Sequence, residues 1–189
     1  LCEAAGFENI IVETVGVGQS ESSVASIVDM FILLIAPGGG DQLQGIKRGI
    51  VELADLIIVN KADGDLYNSA KLIESDYKAA VRLISSYRGD WKPKVLTCSA
   101  LDGSGITDIS KTVNTYKNLL KEDNKLEILR KDQANEWLWE EIKEGLLDSI
   151  SNNEEVSGLV KTFEEKIRQG TELPKVAAEQ ILAKFFSDR

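Results

Sequence analysis

The chain has 189 residues, 22 Lys plus Arg against 31 Asp plus Glu, two cysteines and no histidine, which excludes Ser-His-Asp triads, Cys-His pairs, HExxH zinc sites and imidazole proton shuttles. Cys2 and Cys98 stand too far apart for a CxxC motif and are too few for a disulfide framework, so a reducing, intracellular setting is expected. A net charge of -9 argues against nucleic-acid and anionic-membrane partners, and the longest apolar run, Met30 to Pro37, is far short of the ~20 residues of a membrane-spanning helix.

Four short apolar runs follow in chain order. The first, Ile10-Ile11-Val12, is β-branched and continuous, as in a strand buried on both faces of a parallel sheet. It runs into Glu13-Thr14-Val15-Gly16. A carboxylate at a strand end with a glycine three residues later suits a nucleoside triphosphate: the carboxylate can hold Mg²⁺ directly or through water, and the glycine lets a backbone N–H approach the γ-phosphate. Alone, the pattern is equally a tight strand-to-helix turn. The second run, Met30 to Ala36, leads into Pro37-Gly38-Gly39-Gly40-Asp41, where three glycines make a flexible loop or one that moves in function. A helix is expected from Leu43 to Ala54.

The third run, Leu56-Ile57-Ile58-Val59, ends in Asn60-Lys61-Ala62-Asp63, an NKxD sequence. A carboxylate held in the plane of a base accepts from the ring N–H and exocyclic amine of guanine. Adenine lacks that donor pair and would leave the carboxylate buried without partners. The stem of Lys61 can cover one face of the base, and Asn60 can brace the loop. A helix with Leu72, Ile73, Ala79, Ala80, Leu83 and Ile84 at helical spacing is expected over Ser69 to Tyr87. The fourth run, Val95-Leu96, ends in Cys98-Ser99-Ala100-Leu101 and a turn at Asp102-Gly103-Ser104-Gly105. An SAL sequence alone carries little; on the strand after NKxD it stands where guanine-nucleotide proteins offer a backbone N–H to the guanine carbonyl. Strand, helix, strand repeated in this way predicts an α/β fold with a mostly parallel sheet, helices on its faces and ligands at the carboxyl ends of the strands.

Beyond residue 120 the composition changes. Residues 1–120 hold 12 of the 15 glycines and 26 charged residues, whereas 121–189 hold 3 glycines and 27 charged residues, which predicts helices alone. Leu138, Ile142, Leu146 and Ile150, with Trp139 and Leu147 beside them, mark a helix from about Asn124 to Ser151, on the order of 40 Å long. Val156, Leu159, Val160, Phe163 and Ile167 mark a second, ended by Gly170. Pro174 starts a third, with Val176, Ala177, Ile181, Leu182 and Phe185 inward. Trp137 and Trp139 point to different faces, so one of them is expected to meet something beyond its own domain, unless the tail folds back on the sheet.

ETVGVGQSE (Glu13 to Glu21), GGGDQLQGIKRGIVELADLIIVNKADGD (Gly38 to Asp65) and WKPKVLTCSAL (Trp91 to Leu101) resemble the MeaB/ArgK family of P-loop GTPases, chaperones of the adenosylcobalamin-dependent methylmalonyl-CoA mutase. The resemblance implies a partial P-loop NTPase-type domain over residues 1–122 and a helical dimerisation extension over 123–189. It implies GTP or GDP and Mg²⁺ as ligands, Glu13 as the acidic Walker B-like residue on Mg²⁺, and Gly16 as the switch II glycine. Asn60, Lys61 and Asp63 would read guanine, with Ser99, Ala100 and Leu101 closing over the base. The loop from Gly38 to Lys47 would be switch III, where Asp41 and Lys47 join the catalytic site when the mutase is bound. It also implies a homodimer through the C-terminal helices, in the cytoplasm of a bacterium or the mitochondrial matrix of a eukaryote.

No GxxxxGK[ST] or GxGxxG occurs in the chain, and its first residue is Leu1, so the family's phosphate loop and switch I are expected upstream. Val17 stands where a Ras-like GTPase has its water-orienting Gln, which makes hydrolysis slow until charge arrives from elsewhere; Lys47 is a physically sensible source. The plainer reading of Asp41 and Lys47 is exposed loop charges. A different function class also stays open, in which the 189 residues are a non-catalytic dimerisation or partner-binding module; the older ArgK association with a transport-related kinase has no support in these residues.

Overall fold

The computed structural model describes residues 1–14, 24–38, 48–83 and 91–187. Three parallel strands, β1 (Ile32–Ile35), β2 (Leu56–Val59) and β3 (Lys94–Thr97), form a sheet whose order in space is their order in the chain. The register pairs Ile32 with Leu56 and Leu56 with Lys94. Helix α1 (Arg48–Leu53) lies between β1 and β2, α2 (Tyr67–Leu83) between β2 and β3, and α3 (Ile106–Lys121) follows β3. The α/β class with a parallel sheet thus stands as expected.

One face of the sheet carries the larger core. Leu33, Ile35, Ile57, Val59 and Val95 bury against Ile50 and Val51 of α1 and Ala70, Ile73, Tyr77 and Val81 of α2. The helix expected over Ser69 to Tyr87 forms as far as Leu83, but its buried face is Ala70, Ile73, Tyr77 and Val81. Of the described residues read as its pattern only Ile73 is buried, Leu72, Ala79 and Leu83 being exposed; residues 84–90 lie outside the described part. On the other face Leu56 and Ile58 meet Leu96, Ile109 and Val113. Each fully buried Ile, Leu or Val contributes roughly 1.5–3 kcal/mol, so the central strand, buried at all four positions, is the anchor of the unit.

Two expectations about strands need correction. Ile10-Ile11-Val12 forms no strand: the segment is irregular, and Ile11 is 91% exposed. A β-branched run fits a buried strand, but hydrogen-bond pairing depends on an edge offered by another strand, and none of the described strands pairs with it. Strand β1 is buried on one face only, because α3 reaches Leu56, Ile58 and Leu96 and leaves Ile32 and Leu34 exposed.

At the amino-terminal ends of the strands, buried Asp55 ties the sheet together. Its Oδ2 accepts the Phe31 N–H at 2.8 Å, its own N–H donates to the Phe31 carbonyl at 2.9 Å, and its carbonyl accepts the Trp91 indole N–H at 2.8 Å. Trp91 meets Tyr116 of α3 edge to face at 4.9 Å. These contacts close the end of the sheet opposite the loops considered next.

Helix α3 is broken from α4 (Lys125–Ser151) by Asp123 and Asn124, with φ of 51° and 57°. Such short polar residues tolerate the left-handed region best among those with a Cβ. Arg130 of α4 holds both carboxylate oxygens of Asp29, at 3.0 and 2.9 Å, and Gln133 donates to the Val28 carbonyl at 2.8 Å. The chain divides into two compact units, Leu1–Ala134 and Asn135–Arg189. Within the second, α5 (Glu154–Arg168) packs on α6 (Pro174–Ser187) through Val156, Phe163, Ala177 and Phe185, which are buried. Asn153 caps α5 by accepting the Val156 N–H at 3.1 Å. Gly170, at φ 71°, ends it with two backbone bonds, Gly170 to Ile167 and Thr171 to Lys166, a Schellman closure. Val176 and Leu182, expected inward, are exposed on α6, whereas Ala177 and Phe185 form its buried side. No helix among the described residues is long and apolar enough to cross a membrane.

Candidate functional site

Because the strands are parallel, the loops after β1, β2 and β3 leave the same edge of the sheet. The backbone joins them directly: the Asn60 N–H donates to the Ile35 carbonyl at 2.8 Å, the Cys98 N–H to Val59 at 2.9 Å, and the Ala62 N–H to Cys98 at 2.9 Å. The last bond seats the NKxD loop on the end of β3. It also sets Lys61 in the left-handed region, φ 58°, uncommon for a residue with a long side chain and characteristic of functional loops. The Lys61 side chain is exposed, and Asn60 and Asp63 are partly buried.

Ser99 is the hub. It is 0% exposed, and its hydroxyl donates to Asp63 Oδ2 at 2.5 Å while accepting the N–H groups of Leu101 and Asp102 at 3.1 and 3.2 Å. Its backbone closes the turn on itself, with the Ser99 N–H on the Ser104 carbonyl at 2.9 Å and the Gly103 N–H on the Ser99 carbonyl at 3.0 Å. The hydroxyl's single proton goes to Asp63, which orients that carboxylate while both of its oxygens keep lone pairs that can accept further donors. Asn60 braces the same turn from the other side: its Oδ1 accepts the Ala100 N–H at 3.1 Å and the Cys98 thiol at 3.5 Å. Burial pushes the Cys98 thiol up, which keeps it a protonated donor.

Asp102 reinforces the turn by accepting the Ser104 N–H at 2.8 Å, and that bond above all holds its carboxyl below the usual carboxylate range. Lys71 of α2 reaches the hydroxyl of Thr97, the last residue of β3, at 3.1 Å, and also Glu74 at 2.9 Å. The result is a preorganised group of acceptors and N–H donors at the strand ends, with exposed apolar Leu101 beside it. A carboxylate held in this way can accept from a planar ring that presents two adjacent donors.

Asn60, Asp63, Ser99 and Ala100 therefore come together in space, with Lys61 and Leu101 adjacent. Glu13 does not join their hydrogen-bonded cluster among the described residues; it is exposed in the irregular segment after Val12. Gly16, Val17, Asp41 and Lys47 lie outside the described residues. Sequence reasoning missed the roles of Cys98 and of Asp102, and it treated Gly105 only as part of a turn. A signal for the last was present: a second glycine directly before Ile106, the start of a periodic helix.

A family model of the methylmalonyl-CoA mutase-associated GTPase MeaB matches residues 1–155. A probable GTPase of Mycobacterium tuberculosis is 43% identical over 182 residues, covering 96% of this chain and 54% of that protein. The mitochondrial methylmalonic aciduria type A homolog of Mus musculus is 41% identical over 187 residues, with coverage of 99% and 45%. The GTPase ArgK of Escherichia coli is 40% identical over 181 residues, with coverage of 96% and 55%. The chain spans about half the length of these curated relatives. In three dimensions it is similar to a crystal structure of an LAO/AO transport system kinase, with a TM-score of 0.83, 36% identity, and coverage of 98% of this chain and 59% of that one.

Proposed function

This chain belongs to the MeaB family of methylmalonyl-CoA mutase-associated GTPases, and on that premise we propose that it is the base-reading and helical part of a GTP-dependent chaperone that gates cobalamin loading of methylmalonyl-CoA mutase and protects the enzyme. The observation that carries the reading is the Asp63, Ser99 and Asn60 cluster at the strand ends. Asp63 accepts from the guanine ring N–H and exocyclic amine; Lys61 covers a face of the base, and the Ser99, Ala100 and Leu101 turn closes over its edge. Hydrogen bonds to a charged acceptor are worth about 1.5–3 kcal/mol each, and a base lacking the donor pair leaves Asp63 unsatisfied.

Mg²⁺ binds through one or two carboxylates together with phosphate oxygens and water, and it supplies charge neutralisation on the transferred phosphate. Exposed Glu13 is a chemically suitable single carboxylate for it. In the same reading the Gly16 N–H approaches the γ-phosphate, and Asp41 and Lys47 of switch III enter the site when the mutase is bound. Residues 1–122 act as the nucleotide portion and 123–189 as the dimerisation extension, in a bacterial cytoplasm or a mitochondrial matrix.

The test uses the full-length protein. Lys47→Ala should leave GTP affinity nearly intact and abolish mutase-stimulated hydrolysis; unchanged stimulation sinks the role given to Lys47. The 189 residues by themselves contain no phosphate loop and should bind GTP poorly and hydrolyse none. Micromolar GTP affinity by calorimetry for this chain alone refutes that statement.

A second reading, that these residues serve chiefly as a dimerisation or partner-binding module, is favoured by one observation: α4 has no buried residue, and it exposes Trp137, Leu138, Trp139 and Leu147. The two readings part on whether Asp63→Ala in the full-length protein affects mutase protection, or only removal of the helices does.

A further inference from the structure

Gly105 caps the amino terminus of α3 with φ 75°. A Cβ placed on it would lie 2.3 Å from the carbonyl oxygen of Thr97 and 3.1 and 3.2 Å from Cα and Cβ of Cys98. At Gly6, Gly38, Gly64, Gly103 and Gly170, which also have positive φ, a Cβ would meet nothing within 4 Å. Those positions answer to backbone conformation, whereas Gly105 answers to conformation and to space at once.

The atoms it would strike belong to backbone that is held. Thr97 pairs with Val59 in the sheet register, and the Cys98 N–H is bonded to the Val59 carbonyl. On the other side the Gly105 carbonyl accepts the N–H groups of Asp108 and Ile109, both at 3.1 Å, so the residue is fixed to the first turn of α3. Ser99 to Ser104 span the gap between β3 and Gly105 as a closed turn, and every bond of Ser99 described above lies within that turn or reaches from it to Asp63. The distance of closest approach between α3 and the end of β3 therefore sets where the Ser99 hydroxyl sits.

We propose that Gly105 is a positioning residue for base recognition: by carrying no side chain it lets the start of α3 close onto Thr97, and this closure aims the Ser99 hydroxyl at Asp63. The proposal rests on the guanine reading above. A methyl group at this position forces a displacement of about 1 Å to restore ordinary contact, and misplacements of that size at a reacting or recognising group cost on the order of 10²-fold. The loss should fall on discrimination between bases, because Asp63 is the group that loses its orientation.

The experiment compares GDP with inosine diphosphate, which lacks the exocyclic amine, in the full-length protein by fluorescence competition or calorimetry. The unsubstituted protein should prefer GDP by about tenfold or more. Gly105→Ala should weaken GDP on the order of 10²-fold and bring the GDP-to-IDP ratio close to one. Gly170→Ala, strained in the same way at φ 71° but facing open space and far in the chain from the Ser99 turn, should keep the ratio. If Gly105→Ala does not fold, Asp102→Ala replaces it: that residue is exposed, and losing its bond to the Ser104 N–H loosens the same turn, so the ratio should fall by a smaller factor. A preserved ratio in folded Gly105→Ala, or in Asp102→Ala where the glycine variant fails, overturns the proposal while leaving the guanine reading intact. Absence of any GDP preference in the unsubstituted protein overturns both.

Discussion

The turn around Ser99 and the surface of α4 invert the usual burial rule in opposite senses. At the turn, a hydroxyl and a carboxylate are buried or half-buried and supplied with partners. On α4, two tryptophans and several leucines are open, Trp137 at 63% and Trp139 at 62%. Polar groups are worth burying only where their geometry is wholly determined, and large apolar groups are worth exposing only where something else covers them. On the function proposed above, the first region carries its specificity within itself, and the second is a surface offered to a partner.

Changes to the two cores give the largest effects and test whether the regions are separable. Phe163→Ala should cost about 3–5 kcal/mol and melt α5 and α6, with the sheet unit retaining its hydrogen-exchange protection. Ile57→Ala, at a fully buried centre of β2, should cost about 2–5 kcal/mol and do the reverse. If both variants lose protection throughout the chain, the two units are one cooperative body.

Next in size is Asp63→Ala in the full-length protein. It should reduce GDP affinity by about 10²-fold or more, since two charge-assisted bonds are lost, and lower stability by about 1–3 kcal/mol because the buried Ser99 hydroxyl loses its acceptor. Equal weakening of ADP and GDP would break the contrast drawn for the turn. Replacing Trp137 and Trp139 together by Ala should leave monomer stability within ~0.5 kcal/mol, because neither is buried. It should weaken self-association or partner binding by about 2 kcal/mol or more, seen as a shift in light-scattering mass with concentration. A monomer at tens of micromolar before any substitution denies α4 the role of a dimer face.

The smallest effect concerns Glu74 between Lys78 and Lys71, at 2.8 and 2.9 Å. Burial pushes its carboxyl up, but the bonds from the two lysines outweigh that and leave it below the ordinary value. A depressed folded value means the stabilisation is present above the unfolded carboxylate range and is lost as pH falls through the folded one. With exposed lysines it amounts to less than ~1 kcal/mol. Glu74→Gln should therefore flatten the acid limb of stability against pH slightly, and 1 M salt should erase the difference.

What could be read in the residues was whatever local pattern decides. The runs at Leu56 to Val59 and Val95-Leu96, the NKxD and SAL sequences, the long helix ending at Ser151, Gly170 as a closing residue and Pro174 as a starting one all depend on neighbours a few positions away. What escaped depends on residues far off in the chain. Ile10 to Val12 have strand chemistry and no strand partner among the described residues; Ile32 and Leu34 look buried in sequence and are left open by the reach of α3. Asp55 holds Phe31 and Trp91 across gaps of 24 and 36 residues. The spatial demand on Gly105 exists only because Thr97 lies against it. Asp41 and Lys47 stand on sequence alone.

The sheet's order in space also bears on how the protein is made. Because β1, β2 and β3 lie side by side in the order of synthesis, β2 and β3 each meet a described strand that has already emerged, and none of these three must be threaded between the other two. Partners lie 24 and 38 residues apart at Ile32 with Leu56 and Leu56 with Lys94, short loops for parallel pairing. Assembly of this unit can proceed vectorially, with the Ser99 turn completed last, when β3 and the first turn of α3 have both appeared.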